Sequence, residues 1–181
     1  MRNIIGISGS LRKGSFNTKL LKLAKQESKD TIELVTLDGI PVYNGDVEDS
    51  IGIPDAVIRL QNKIKAADGV IISTPEYNNG VPGVLKNAID WLSRPSSMIN
   101  EVYAGKAFAM MGVSVGGFGT TNAQTNLLPV LRFLRVSLWC GSTPFLVSNA
   151  HSAFTEKGSF SDKEKLERLK IFLDGFSNFI Q

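Results

Sequence analysis

The chain has 181 residues, a formal net charge of +3, one cysteine and one histidine, with 43% hydrophobic and 20% charged residues. That length suits a single domain with a real core, so residues 1–181 are read as one unit. One cysteine excludes an internal disulfide framework and a multi-cysteine metal site, and scattered lysines and arginines with no basic arm argue against a nucleic-acid partner.

In chain order, the start "MRNIIGISGS" has too short an apolar run for a signal peptide. Asn3 to Ser8 reads as a buried strand, because isoleucines crowd a short apolar run. A Gly/Ser loop follows, then a helical stripe of Leu20, Leu21, Leu23 and Ala24. Thr31 to Leu37 alternates with period two and reads as a strand. A loop with Pro41, Asn44 and Gly45 leads to a helix marked by Val57, Leu60, Ile64 and Ala67. Gly69 to Thr74 is a β-branched strand ended by Pro75, and Pro82 suits the first turn of the next helix. Lys106 to Ser114 and Ser142 to Ser148 read as strands four and five, with a helix from about Thr120 to Arg135 between them. Leu166, Leu169, Phe172, Leu173, Phe176 and Ile180 give the last helix one apolar face. The apolar run from Ala107 to Val113 is too short to span a bilayer, so a cytoplasmic protein without a membrane partner is expected.

Strands alternating with helices imply an α/β protein with a parallel sheet covered on both faces. Ligands of such sheets sit beyond the carboxyl ends of the strands, which singles out the loops after strands one, three and four. The first, "SGSLRKGSFN", has the two-glycine spacing of a triphosphate-binding loop, Gly9 and Gly14, but Ser15 stands where that loop needs lysine. Ser10, Ser15, Asn17, Arg12 and backbone N–H groups at a helix start suit one terminal phosphate. Ser15 or Asn17 as a plain helix cap is the alternative.

The second loop, "STPEYNNGVPG", is stiffened by prolines and presents Glu76, Tyr77, Asn78 and Asn79, which suits the polar edge of a planar heterocycle. The third, "SVGGFGTTN", offers glycines for close approach to a flat ligand. His151 reads as a solvated loop residue, Cys140 as a buried packing residue and Trp91 as core or interface. Glu76 reads either as a site residue or as a turn residue facing solvent.

"GSLRKGSFN" followed by "TPEYNNGVPGVLKNAIDWLSRP" resembles the NADPH-dependent FMN reductase family of flavodoxin-like proteins, bacterial quinone and chromate reductases above all. The resemblance implies a flavodoxin-like three-layer α/β/α sandwich with a five-stranded parallel sheet in the order 2-1-3-4-5. It implies FMN as cofactor and NADPH or NADH as electron donor. Ser10, Arg12, Ser15, Phe16 and Asn17 would hold the phosphate. Pro75, Glu76, Tyr77 and Asn78 would frame the ring, with Ser114, Gly116 and Gly117 on the other side. No side chain is assigned a catalytic role and no metal is expected, because hydride passes from nicotinamide to flavin N5.

Free flavin, quinones or similar small molecules are the implied acceptors. A homodimer or homotetramer is implied, with Leu85 to Pro95 near the subunit contact. The chain departs from the likest reductases at Asn79, at Leu128 and Pro129, and at Phe145. A flavodoxin-like electron carrier serving protein partners is the alternative function, and a nucleotide-binding module without redox chemistry a third.

Overall fold

The computed structural model describes residues 1–141 and 143–180. Six parallel strands form one sheet: β1 (Asn3–Ser8), β2 (Thr31–Val35), β3 (Gly69–Ser73), β4 (Ala107–Val113), β5 (Ser137–Trp139) and β6 (Phe145–Val147). The order is β2-β1-β3-β4-β5, with β6 also paired to β4, as the flavodoxin-like expectation requires.

Successive side chains of a strand point to opposite faces, and the sequence uses both. Ile5 and Ile7 of β1, Val70 and Ile72 of β3, and Phe108 and Met110 of β4 face one layer. That layer consists of α3 (Asp55–Ala66), α4 (Gly83–Leu92) and α6 (Thr121–Phe133). Ile4, Ile71, Ala109 and Met111 face the other, built from α1 (Phe16–Glu27) and α8 (Lys163–Phe179). Trp91 lies wholly in the core and donates its Nε1–H to the Pro41 carbonyl at 2.8 Å. Burying a large apolar side chain contributes about 1.5–3 kcal/mol, so these two seams carry most of the driving force.

Three features depart from the reading of the sequence. Strand two stops at Val35, and Pro82 occupies the N-cap position of α4 and not its first turn; its carbonyl accepts from Leu85 and Lys86. Short helices α2 (Gly45–Ile51), α5 (Met98–Val102) and α7 (Ala150–Ala153) lie in segments where no helix was expected. The last strand is split. β5 pairs with Ala107 to Ala109 and β6 with Met111 to Val113, which leaves Met110 between the two pairings. Ser142, the expected start of that strand, lies outside the described residues, and Cys140 is exposed, not buried.

Because all strands are parallel, the loops after β1, β3 and β4 leave the same edge of the sheet. Backbone pairing runs on past the strand ends and draws the loops together. Gly9 donates to the Ser73 carbonyl at 2.8 Å, Thr74 to Met111 at 3.0 Å, and Ser114 to Val147 at 3.0 Å. Gly112 sits in this junction, where a Cβ would lie 2.2 Å from Thr120 Oγ1 and 2.4 Å from the Thr74 carbonyl.

Candidate functional site

The first loop turns into α1 through Ser15. Its Oγ accepts from the N–H groups of Asn17 at 3.2 Å and Thr18 at 3.3 Å, capping the helix. The hydroxyl proton of Ser15 stays available to a ligand. Ser10 Oγ accepts from the Arg12 N–H at 3.3 Å and so folds the loop over itself. No acidic residue occupies the first turn of α1, leaving the positive end of the helix dipole unopposed. Arg12 is exposed, and its guanidinium has no ion-pair partner among the described residues.

Asn17 behaves differently from its expected role as a phosphate contact. Its Nδ2 donates to the Val113 carbonyl at 2.9 Å, while Oδ1 accepts from the Val113 N–H and from Ser73 Oγ, both at 3.0 Å. The side chain is buried and its acceptor is fully engaged, so it ties α1 to β3 and β4. Phe16, at the first position of α1, packs edge-on to His151 with ring centroids 5.2 Å apart. His151 is exposed in α7, close to a site-loop residue, not isolated in a solvated loop.

The second loop closes on itself at Tyr77 and Gly80, whose N–H and C=O groups bond reciprocally at 3.2 and 3.0 Å. Asn78 and Asn79 between them have φ of 50° and 57°, the left-handed region that asparagine tolerates better than most residues. Glu76 does not face open solvent. Its Oε2 accepts from the Ala123 N–H at 3.0 Å and its Oε1 from Asn122 Nδ2 at 3.3 Å. The third loop is pinned behind, where Asn149 donates to the Gly116 carbonyl at 3.2 Å and Ala150 to Ser114 at 3.1 Å. A Cβ on Gly14 or Gly117 would meet only open space.

These loops enclose a cavity of about 120 Å³ lined by Ser10, Arg12, Ser15, Phe16, Asn17, Pro75, Glu76, Tyr77 and Ser114, with Val113 and Val115. Asn78, Gly116 and Gly117 flank it in sequence without lining it. Val113 and Val115 were not anticipated, since nothing in an apolar residue at a strand end marks it as a cavity wall. A larger, apolar cavity of about 260 Å³ lies beside the break between β5 and β6, lined by Met110, Leu128, Trp139 and Leu146 among others. It lacks any charged group, whereas the smaller cavity offers an anion Arg12 and the hydroxyls of Ser10 and Ser15. Among the described residues, no cluster of histidine, cysteine or carboxylate side chains could hold a metal ion.

The chain is also similar to known oxidoreductases. Residues 2–151 match the family described as NADPH-dependent FMN reductase. The chain is 41% identical over 180 residues to an NAD(P)H-dependent FMN reductase of Pseudomonas aeruginosa, covering 98% of this chain and 95% of that one. It is 36% identical over 183 residues to a quinone reductase of Escherichia coli K12, with 98% and 95% covered. Among solved structures, a flavoenzyme NAD(P)H:acceptor oxidoreductase of Paracoccus denitrificans superposes with a TM-score of 0.88 at 32% identity, covering 99% of this chain and 97% of that one.

Proposed function

The chain belongs to the NADPH-dependent FMN reductase family, and from that premise we propose that the cavity between the three loops is where its FMN sits. The protein is an oxidoreductase that uses NAD(P)H to reduce flavin or quinone acceptors, with FMN as cofactor. One observation carries the site assignment: Arg12, with no ion-pair partner among the described residues, and the capped start of α1 line the same small cavity as the ring-end loop.

The donor set fits FMN. Arg12, the Ser10 and Ser15 hydroxyls and the Phe16 N–H at the positive end of α1 suit a terminal phosphate. Pro75 to Asn78, with Ser114, Gly116 and Gly117 opposite, suit the ring and the chain linking it to the phosphate. Asn17 also braces the site, its Oδ1 held by Val113 and Ser73, and the second N–H of its amide is left to a ligand. Bound FMN supplies the two-electron chemistry between NAD(P)H and acceptor, so no side chain need act as acid, base or nucleophile.

The residues of the chain bind and orient. The first loop fixes one end of the ligand, the second and third loops fix the other, and a rigid site lowers the entropic cost of bringing donor and acceptor to it in turn. Leu11, Tyr77, Val115 and Phe118 are exposed apolar side chains on these same loops, suited to planar acceptors. An electron carrier serving protein partners is the second reading; no observation favours it over the relatives named reductases.

We propose further that residues 1–181 act as one domain and that the protein works in the cytoplasm, where reduced nicotinamide is supplied. No described helix is long and apolar enough to cross a membrane. A homodimer or homotetramer is proposed as well. The outer face of α4 is already covered within the chain by residues 41–48, through Asn87, Trp91 and Arg94. A subunit contact at this helix therefore runs through the covering segment, where Val42 is 84% exposed.

Anaerobic stopped-flow mixing of the FMN-loaded protein with NADH and with NADPH tests the enzymatic reading. Prompt bleaching without a protein partner is expected, followed by reoxidation on adding a quinone. A flavin that bleaches only when a partner protein is present would favour the carrier.

A further inference from the structure

The side chain of Glu76 leaves the ring-end loop and ends on another element. Its Oε2 accepts from the Ala123 N–H at 3.0 Å across 47 positions of sequence. Ala123 is the third residue of α6, where an N–H has no acceptor within its own helix. Thr120, at the N-cap position, makes no side-chain capping bond. α6 therefore takes its cap from a different loop.

The same two elements are joined twice more. Asn122 Nδ2, already on Glu76 Oε1, reaches Asn79 Oδ1 at 3.4 Å, and Asn126 Nδ2 donates to the Asn79 carbonyl at 3.2 Å. Between these anchors the chain makes its tight turn, with left-handed Asn78 and Asn79. The Tyr77–Gly80 bonds close that turn locally, so what the anchors to α6 fix is its place beside the cavity. The carboxylate is well matched to its place, since a negative group at a helix start is favoured by the helix dipole.

We infer that Glu76 is the positioning residue of the ring end: as the cap of α6 it holds residues 75–79 over the cavity, and it acts on FMN through the loop and not by touching the ring. The inference rests on the FMN reading above. It separates the two ends of the site, because the phosphate end at Arg12 shares no bond with Glu76 or with α6 among the described residues.

The test uses the full chain, with and without FMN. In Glu76→Ala the FMN dissociation constant rises about tenfold or more, and amide exchange at Tyr77 and Gly80 quickens in the FMN-free protein. Glu76→Gln keeps an oxygen for the Ala123 N–H and recovers most of the affinity. Asp162→Ala is the control, because Asp162 caps α8 through the Glu164 N–H at 2.9 Å, a comparable lesion remote from the cavity. That variant loses stability to a similar degree but keeps its FMN affinity within about twofold.

If Glu76→Ala behaves like Asp162→Ala, losing stability with FMN affinity unchanged, Glu76 is a helix cap and nothing more. Glu76→Gln as weak as the alanine variant would also overturn the inference, since a capping oxygen remains. Failure of the unaltered protein to bind FMN would instead overturn the FMN reading itself.

Discussion

Asn17 and Val113, 96 residues apart, pair as if they were neighbours in a sheet. The Asn17 Nδ2 donates to the Val113 carbonyl at 2.9 Å, and the Val113 N–H donates to Oδ1 at 3.0 Å. A side-chain amide thus mimics a peptide group and extends the hydrogen bonding of β4 into the first turn of α1. With Ser73 Oγ on the same oxygen, one residue locks the bases of all three site loops.

Replacing Asn17 by Leu removes these bonds and leaves buried backbone groups of Val113 unsatisfied. Each such group costs about 1–3 kcal/mol, so a loss of about 3 kcal/mol is expected in urea unfolding of the FMN-free protein. FMN affinity falls along with stability, because the loops lose their common anchor. A variant as stable as the parent would show the amide to be dispensable.

Gly112→Ala tests the junction of the second and third loops. The added methyl would lie 2.2 Å from Thr120 Oγ1 and 2.4 Å from the Thr74 carbonyl, so backbone has to move. Overpacking of this kind typically costs about 1–3 kcal/mol, and a backbone clash puts this case at the upper end. A lowered thermal midpoint and weakened FMN binding are expected together, by differential scanning fluorimetry and titration.

The segment covering α4 depends on pH. Arg94 Nε donates to both Glu48 oxygens, at 3.0 and 2.8 Å, and the Tyr43 hydroxyl donates to Oε2 at 3.0 Å. The Arg94 hydrogen bonds first, and Tyr43 after them, hold the Glu48 carboxyl below its ordinary value of 4.5. A depressed carboxyl contributes stability that is complete above the unfolded value and is lost as pH falls through the lower, folded one. Acid below the ordinary glutamate range therefore loosens residues 41–48. Trp91, edge-on to Tyr43 with centroids 4.9 Å apart, reports this by fluorescence in a Trp139→Phe background. Glu48→Gln should abolish that acid step and show the loosened fluorescence already at neutral pH, since the uncharged amide mimics the protonated carboxyl.

How much of this the sequence revealed depends on what kind of bond did the work. β1, β3 and β4 were legible because buried parallel strands are runs of β-branched and apolar residues. β5 was not, since the three residues Ser137 to Trp139 are too few to show a period. α2 buries no residue at all, so it has no apolar stripe; Asn44 followed by Asp46 and Glu48 was the signal available, a cap and an acidic first turn. At the site, the Ser and Arg donors of loop one were legible by residue type. The destinations of Asn17 and Glu76 were not, because their partners are backbone groups of Val113 and Ala123, which carry no signature in the sequence.

The claim on which the account turns is that loop one grips the cofactor phosphate through Arg12. The most direct measurement is an FMN titration of the parent and of Arg12→Ala, followed by flavin fluorescence. Arg12 is exposed and without an ion pair among the described residues, so the variant should keep its thermal midpoint and circular dichroism. A charge-assisted hydrogen bond contributes about 1.5–3 kcal/mol, so its FMN dissociation constant should rise about 10- to 100-fold. An Arg12→Ala protein that binds FMN as tightly as the parent would contradict the assignment.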